Sequence, residues 1–187
     1  NQASERIYNA IVNSIGDGDR IKAVLDPYNP KGSTVHVGFQ TTKPLFKTSP
    51  VKSHINYVVA DSGWEDQFAL AAESHDRVVS YVKNQGLGLE VPYKDGSNAR
   101  TYIPDFIVCV DDGKGVDDLL HLVVEVKGYR AENVKLKSET MKTQGAPGVN
   151  NLGTYGRWAF VEFGDVWEMA DKFKELIDRA IAERAAV

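Results

Sequence analysis

Two short stretches of this chain carry residues that could hold a divalent cation against a phosphate. The first runs from Tyr102 through Pro104 and Asp105 to Val110; the second runs from Leu119 to Glu125, Val126 and Lys127. Both read as strands, and alternate side chains of a strand share a face. Glu125 and Lys127 therefore point the same way, with Leu120, Leu122, Val124 and Val126 on the other side. Asp105 shares its face with Ile103, Ile107 and Cys109, company in which a carboxylate is costly unless a charge meets it. Two adjacent strands would bring Asp105, Glu125 and Lys127 to one point. Magnesium takes oxygen ligands, often one or two carboxylates, and leaves the rest to water and substrate phosphate. It acidifies a bound water and offsets charge building on phosphorus. A lysine beside it can orient that water, stabilise the transition state, or take a proton if burial lowers its pKa. The spacing leaves those roles open.

An acid-x-Lys triplet is weak on its own, and the chain holds a second copy, Asp112, Gly113 and Lys114, in an acidic glycine-rich turn. That copy reads as a solvated loop. The Glu125 copy differs because it ends a hydrophobic strand and follows a Pro-Asp pair that opens another. Its bland alternative is a structural ion pair at a strand end. A third acid, Glu65, lies on a helix expected to start at Ser62. Phe68, Ala69 and Ala72 follow it at helical spacing, which puts Glu65 on or beside the buried face. Its bland alternative is the partner of Ser62 in a capping box. Glu73 competes for the same role but reads as an exposed helix acid. After the second strand come Arg130, Lys135, Lys137 and Lys142, with Glu132 and Glu139 between them. They could line a phosphate track, or form a solvated helix face. Arg157 is a candidate phosphate contact at the start of a later strand, while Trp158 reads as packing. His36, His54, His75 and His121 show no metal-ligand spacing and read as structural. Gln144 is a weaker candidate to approach the site.

The elements that must position these residues can be read from periodicity and breakers. Ile7, Tyr8, Ile11, Val12 and Ile15 predict a first helix between Ser4 and Gly16. Strands are expected at 20–25, 35–39 and 55–59, making residues 1–60 a β-rich lead-in. A core is then expected over 61–187, in one compact domain. It starts with a helix from 62, extended by a second segment to Asn84. Strands follow at about 88–94, 101–110 and 119–127. A weak helix over 130–144, a strand over 157–163 and a final helix from 165 to about 184 complete it. The fold class is α/β.

Composition bounds the class. The chain has 187 residues, 42% hydrophobic and 26% charged, with a net charge of −4. That length suits about one domain with a self-sufficient core. The apolar runs are far shorter than the roughly twenty residues of a membrane-spanning helix. One cysteine, Cys109, excludes an internal disulfide and a cysteine-rich zinc site, and fits a reducing, cytoplasmic setting. The acidic balance gives no global sign of nucleic-acid binding, although a local groove does not need a basic chain. The first residue is asparagine, so the chain reads as a piece of something longer. No phosphate-binding glycine loop with Lys-Ser or Lys-Thr is present, so no ATP site of that kind is expected.

These residues resemble the PD-(D/E)xK nuclease superfamily. Pro104 and Asp105 supply the PD, and Glu125, Val126 and Lys127 supply the ExK. Glu65 matches the helix acid of many members, and the order αβββαβ from residue 62 to 163 is similar to their core. A closer similarity is to the C-terminal nuclease region of Type III restriction enzyme Res subunits and related helicase–nucleases. It is carried by Lys52 to Asp61, Tyr81 to Asn84, Leu87 to Tyr93, Tyr102 to Val108, Glu125 to Gly128, Asn150 and Gly156 to Glu162. The resemblance implies cleavage of DNA phosphodiesters with Mg2+, or Mn2+ in its place, leaving a 5′-phosphate and a 3′-hydroxyl. It implies Asp105, Glu125 and Glu65 as metal ligands, directly or through water, and Lys127 as the catalytic lysine. It also implies an ATP-driven helicase motor earlier in the full-length chain and a methyltransferase subunit that reads DNA sequence. The rival expectations on the same fold are a non-cleaving DNA-binding or subunit-docking module, and an RNA or structure-specific nuclease.

Overall fold

The structure is a computed structural model that describes residues 21–28, 30–126, 134–165 and 167–185. The expected first helix and Lys127 to Gly128 lie outside the described residues, as do Arg130 and Glu132. In the lead-in, residues 21–25 form no strand, and 34–39 give a 3-10 turn over Thr34–His36 instead of the expected strand. Strand β1 (Leu45–Lys47) pairs antiparallel with β2 (Tyr57–Val59).

Helix α1 (Gly63–Ser74) opens the core. The expected extension to Asn84 is a strand instead, β3 (Val78–Lys83). Its Val78, Val79, Tyr81 and Val82 are β-branched or aromatic, residues that pack well on a pleated surface and lose rotamer freedom in a helix. Strands β4 (Val91–Asp95) and β5 (Asn98–Tyr102) form a separate hairpin. The single strand expected over 101–110 is thus two, β5 and β6 (Phe106–Val110), parted at Pro104. Proline lacks the N–H that a continuing central strand would donate. Strand β7 (Leu120–Val126) leads to α2 (Val134–Thr140), a π-helical segment (Met141–Gly145) and α3 (Ala146–Asn150). Strand β8 (Arg157–Phe163) and helix α4 (Met169–Ala185) follow.

The central sheet has the order β3-β6-β7-β8. The first three strands are antiparallel, and β8 runs parallel to β7 after the helical crossover. The order αβββαβ therefore holds, with β3 rather than the hairpin as its first strand. Alternation divides the sheet's two faces. Phe106, Val108, Val110, Leu122, Val124 and Val126 meet Phe68, Ala69 and Ala72 of α1 and Phe173 and Ile177 of α4. The Phe68 ring centroid lies 4.9 Å from that of Phe106 and 5.5 Å from that of Phe173. On the other face, Val123 packs with Tyr93, Tyr102 and Met141, beside Leu136, Trp158 and Phe160. The sheet is covered on both faces, as an α/β arrangement requires.

Candidate active site

The pairing register places the predicted acids. Phe106 is opposite Val124, so Asp105 lies beside Glu125 at the end of β6 and β7. The Asp105 N–H donates to the Val124 carbonyl at 3.1 Å, and the Val126 N–H donates to Asp105 Oδ2 at 2.7 Å. Pro104 ends the hairpin segment, and the Asp105 carboxylate then takes up a strand N–H from β7. Glu125 stands on the sheet face of Val123, and its Oε2 accepts the Tyr102 hydroxyl at 2.6 Å. On the far side of β7, Glu162 of β8 is in register with Glu125.

Asp105 is the perturbed group. Burial raises its pKa to about 7, and the Glu125 carboxylate adds to the rise. The Val126 N–H and the Lys83 ammonium pull it down, while Glu65 pushes it up. Burial and Glu125 also hold the Tyr102 phenol well above its ordinary range, so it serves as a neutral donor.

Glu65 is buried, as its position on α1 predicts. Its Oε2 accepts the Lys83 ammonium at 2.6 Å and the Asp61 N–H at 2.7 Å. Ser62 is the N-cap residue, but its side chain makes no capping bond, so only the glutamate half of a capping box forms, reaching one residue further back. Lys83 also donates to the Val59 carbonyl at 2.6 Å and Asp61 Oδ2 at 3.1 Å. It stands next to Asn84, whose N–H donates to the Asp105 carbonyl at 2.8 Å. Glu73 is not the exposed acid expected. Its carboxylate accepts the Ser49 N–H and the Tyr81 hydroxyl, tying the lead-in to the core.

The basic residues separate. Lys137 places its ammonium 5.3 Å from the centroid of the Tyr102 ring, beside Glu125. Lys135 and Lys142 line a cleft of about 270 Å³ with Ser138, Glu139, Thr143 and Glu162. Gln144 sits in the π-helical segment next to it. Arg157 belongs elsewhere. It pairs with Leu120 at the opposite end of β7, five residues from the Glu125–Glu162 register, or about 16 Å along the strand. Its guanidinium grips both oxygens of Asp112 at 2.7 Å and Asp118 Oδ1 at 2.9 Å. The expectation of a solvated Asp112 is therefore corrected: it is buried, and Arg157 holds its carboxyl below the usual range. His121 stacks on Trp158 at 4.7 Å and His75 meets Phe173 edge-on at 5.5 Å, while His36 and His54 are exposed. Gly156 has a φ of +76°, and a Cβ there would come within 3.1 Å of the His121 ring.

Lys83 and Tyr102 are the residues that sequence reasoning missed as parts of this site. Tyr102 directly precedes the Ile-Pro-Asp run and stood in plain view. Lys83 was hidden by the reading of its strand as helix.

Asp105 and Glu125 fit a divalent cation. They are adjacent carboxylates, and the Glu125 charge raises the electrostatic cost of ionising Asp105, a cost that a cation removes. Among the described residues no three His, Cys, Asp or Glu side chains group as a metal cluster, so such an ion would rely on this pair, water and substrate oxygens. Also among the described residues, no helix is long and apolar enough to cross a membrane.

No curated protein and no solved structure matches the chain. A family profile described as "Endonuclease domain" matches residues 51–149, from the lead-in through α1, the sheet's first three strands and α2. That is more than half of the chain, and it contains Glu65, Lys83, Tyr102, Asp105 and Glu125. The chain belongs to this endonuclease-domain family and is a restriction-endonuclease-like nuclease domain.

Proposed function

We propose that the chain is a magnesium-dependent endonuclease domain that hydrolyses DNA phosphodiesters at Asp105 and Glu125. The observation that carries this reading is the adjacency of those two carboxylates at the end of β6 and β7, where burial and the Glu125 charge raise the Asp105 pKa to about 7. A bound magnesium ion would polarise the phosphoryl oxygen and acidify its own water. Asp105 and Glu125 would hold it, and Glu65, committed to Lys83, would act at one remove through water. In hydrolysis a water oxygen bonds to phosphorus and the bond to the 3′ oxygen breaks. The water's proton is lost to solvent or base, and the departing 3′ oxygen takes up a proton. Lys127, two residues beyond Glu125, would orient the water and offset charge on the phosphoryl oxygens. Lys135 and Lys142 would hold the DNA backbone in the cleft beside Glu162. The sequence resemblance supports the finer assignment to a Type III-like enzyme, with a helicase motor in the full-length chain and a methyltransferase partner.

The test is supercoiled plasmid with Mg2+ or Mn2+, beside an EDTA control and a Glu125→Ala, Lys127→Ala double variant. Nicking or linearisation that needs the metal and disappears in the variant is expected. An Asp105→Ala protein that cuts at the wild-type rate would overturn the site assignment.

A further inference from the structure

We propose that Tyr102 is a positioning residue for the metal-binding carboxylate, its hydroxyl holding Glu125 in the orientation that a divalent cation requires. The inference rests on the nuclease reading above and adds a residue from outside the sheet that carries the acids.

Tyr102 ends β5, in the hairpin, while Glu125 belongs to the central sheet. The 2.6 Å bond between them is therefore a tie between two sheets. The donor is rigid for reasons visible in its packing. Tyr102 is 3% exposed, and its ring belongs to the cluster of Tyr93, Val123 and Met141. The Lys137 ammonium lies over the ring. Glutamate has three rotatable side-chain bonds and no ring to fix them. Packing can place its methylenes, but the orientation of its carboxylate needs a directional partner. The phenol has one proton to give, and it gives it to Oε2. A carboxylate oxygen carries two lone pairs, so this bond leaves capacity for a cation while fixing the plane of the group. Hydrogen-bond partners of metal-ligating carboxylates act in this way, and losing one costs about 10- to 100-fold in metal affinity or activity.

Tyr102→Phe removes the hydroxyl and keeps the ring, so the packing on Val123 and Met141 remains. Mn2+ binding by calorimetry and the Mn2+ dependence of plasmid cleavage would be measured for wild type, Tyr102→Phe and Glu125→Gln. We expect Tyr102→Phe to need about 10- to 100-fold more Mn2+ for half-saturation. Its cleavage rate at saturating metal should fall much less, a split that general loosening of the fold would not produce. On a Glu125→Gln background, which should already have lost the metal, Tyr102→Phe should change nothing further. Unchanged Mn2+ affinity in Tyr102→Phe overturns the proposal alone. Wild type that takes up no Mn2+ overturns the metal-dependent reading and this proposal with it. Should Tyr102→Phe fail to fold, Glu125→Asp repeats the test from the other side, because its shorter side chain withdraws the carboxylate from the Tyr102 hydroxyl. The same loss of affinity is expected, and wild-type affinity would overturn the idea.

Discussion

Asp105 sits between two hydrogen-bonded systems, Tyr102–Glu125 on one side and Lys83–Glu65 on the other, and its titration reports on both. Its folded pKa of about 7 lies above the ordinary 3.8 of an aspartate side chain. The folded chain therefore keeps the Asp105 proton over a window in which the unfolded chain has lost it. Stability from this group is fully present below pH 3.8 and is lost as pH rises to 7, levelling off beyond. Asp105→Asn keeps an acceptor for the Val126 N–H and has nothing to ionise. In EDTA its Tm should match wild type in acid and exceed it by a few degrees in mild alkali, by calorimetry. An equal difference at both ends would mean that Asp105 does not titrate in this way. Asp105 and Glu125 were legible because an acid inside an apolar strand is anomalous and asks for a partner. The partners were less legible. Tyr102 is 23 residues from Glu125 and in another sheet, and Lys83 meets Glu65 only because β3 runs beside β6 and under α1.

At the scale of elements, the two ends of β7 do different work. One end holds the acids; the other is fastened by Arg157 to Asp112 and Asp118, which joins β8 to the turn between β6 and β7. Arg157→Met should destabilise the fold by about 2 kcal/mol, since it strands Asp112 in a buried position while Arg157 itself is partly solvated. Urea denaturation would measure that loss. DNA affinity of the folded variant should stay at the wild-type level, measured by fluorescence anisotropy. A large fall in affinity with unchanged stability would return Arg157 to the phosphate track. Strands β7 and β8 could be read from their hydrophobic runs to within a residue, and β6 only at its Val110 end. Strand β3 could not, because α1 and β3 are separated only by His75, Asp76 and Arg77, without glycine or proline to mark the break. The hairpin was blurred for a related reason: β5 runs into β6 with just Ile103, Pro104 and Asp105 between them.

The whole molecule is acidic, so under the proposed function any attraction to DNA would come from a local arrangement rather than from net charge. In that proposal, on a cleft shared with Glu139 and Glu162, it would be supplied by Lys135 and Lys142. Replacing both by alanine should weaken binding to unrelated DNA sequences about equally, and should flatten the dependence of log affinity on log salt by about two. An unchanged salt slope, from anisotropy titrations at several NaCl concentrations, would remove the cleft from the DNA path. The same crossover bears on how the chain tolerates changes in length. A π-helical segment is how a helix absorbs one surplus residue without turning the faces on either side. Between Met141 and Gly145, then, one residue can be deleted and the crossover can relax to a regular helix, with Leu136 still facing the sheet and Lys135 still facing the cleft. The same deletion within α2 would rotate the preceding residues by about 100° and turn the lysines away. Related chains that differ by a single residue in this region should carry the difference inside that one turn.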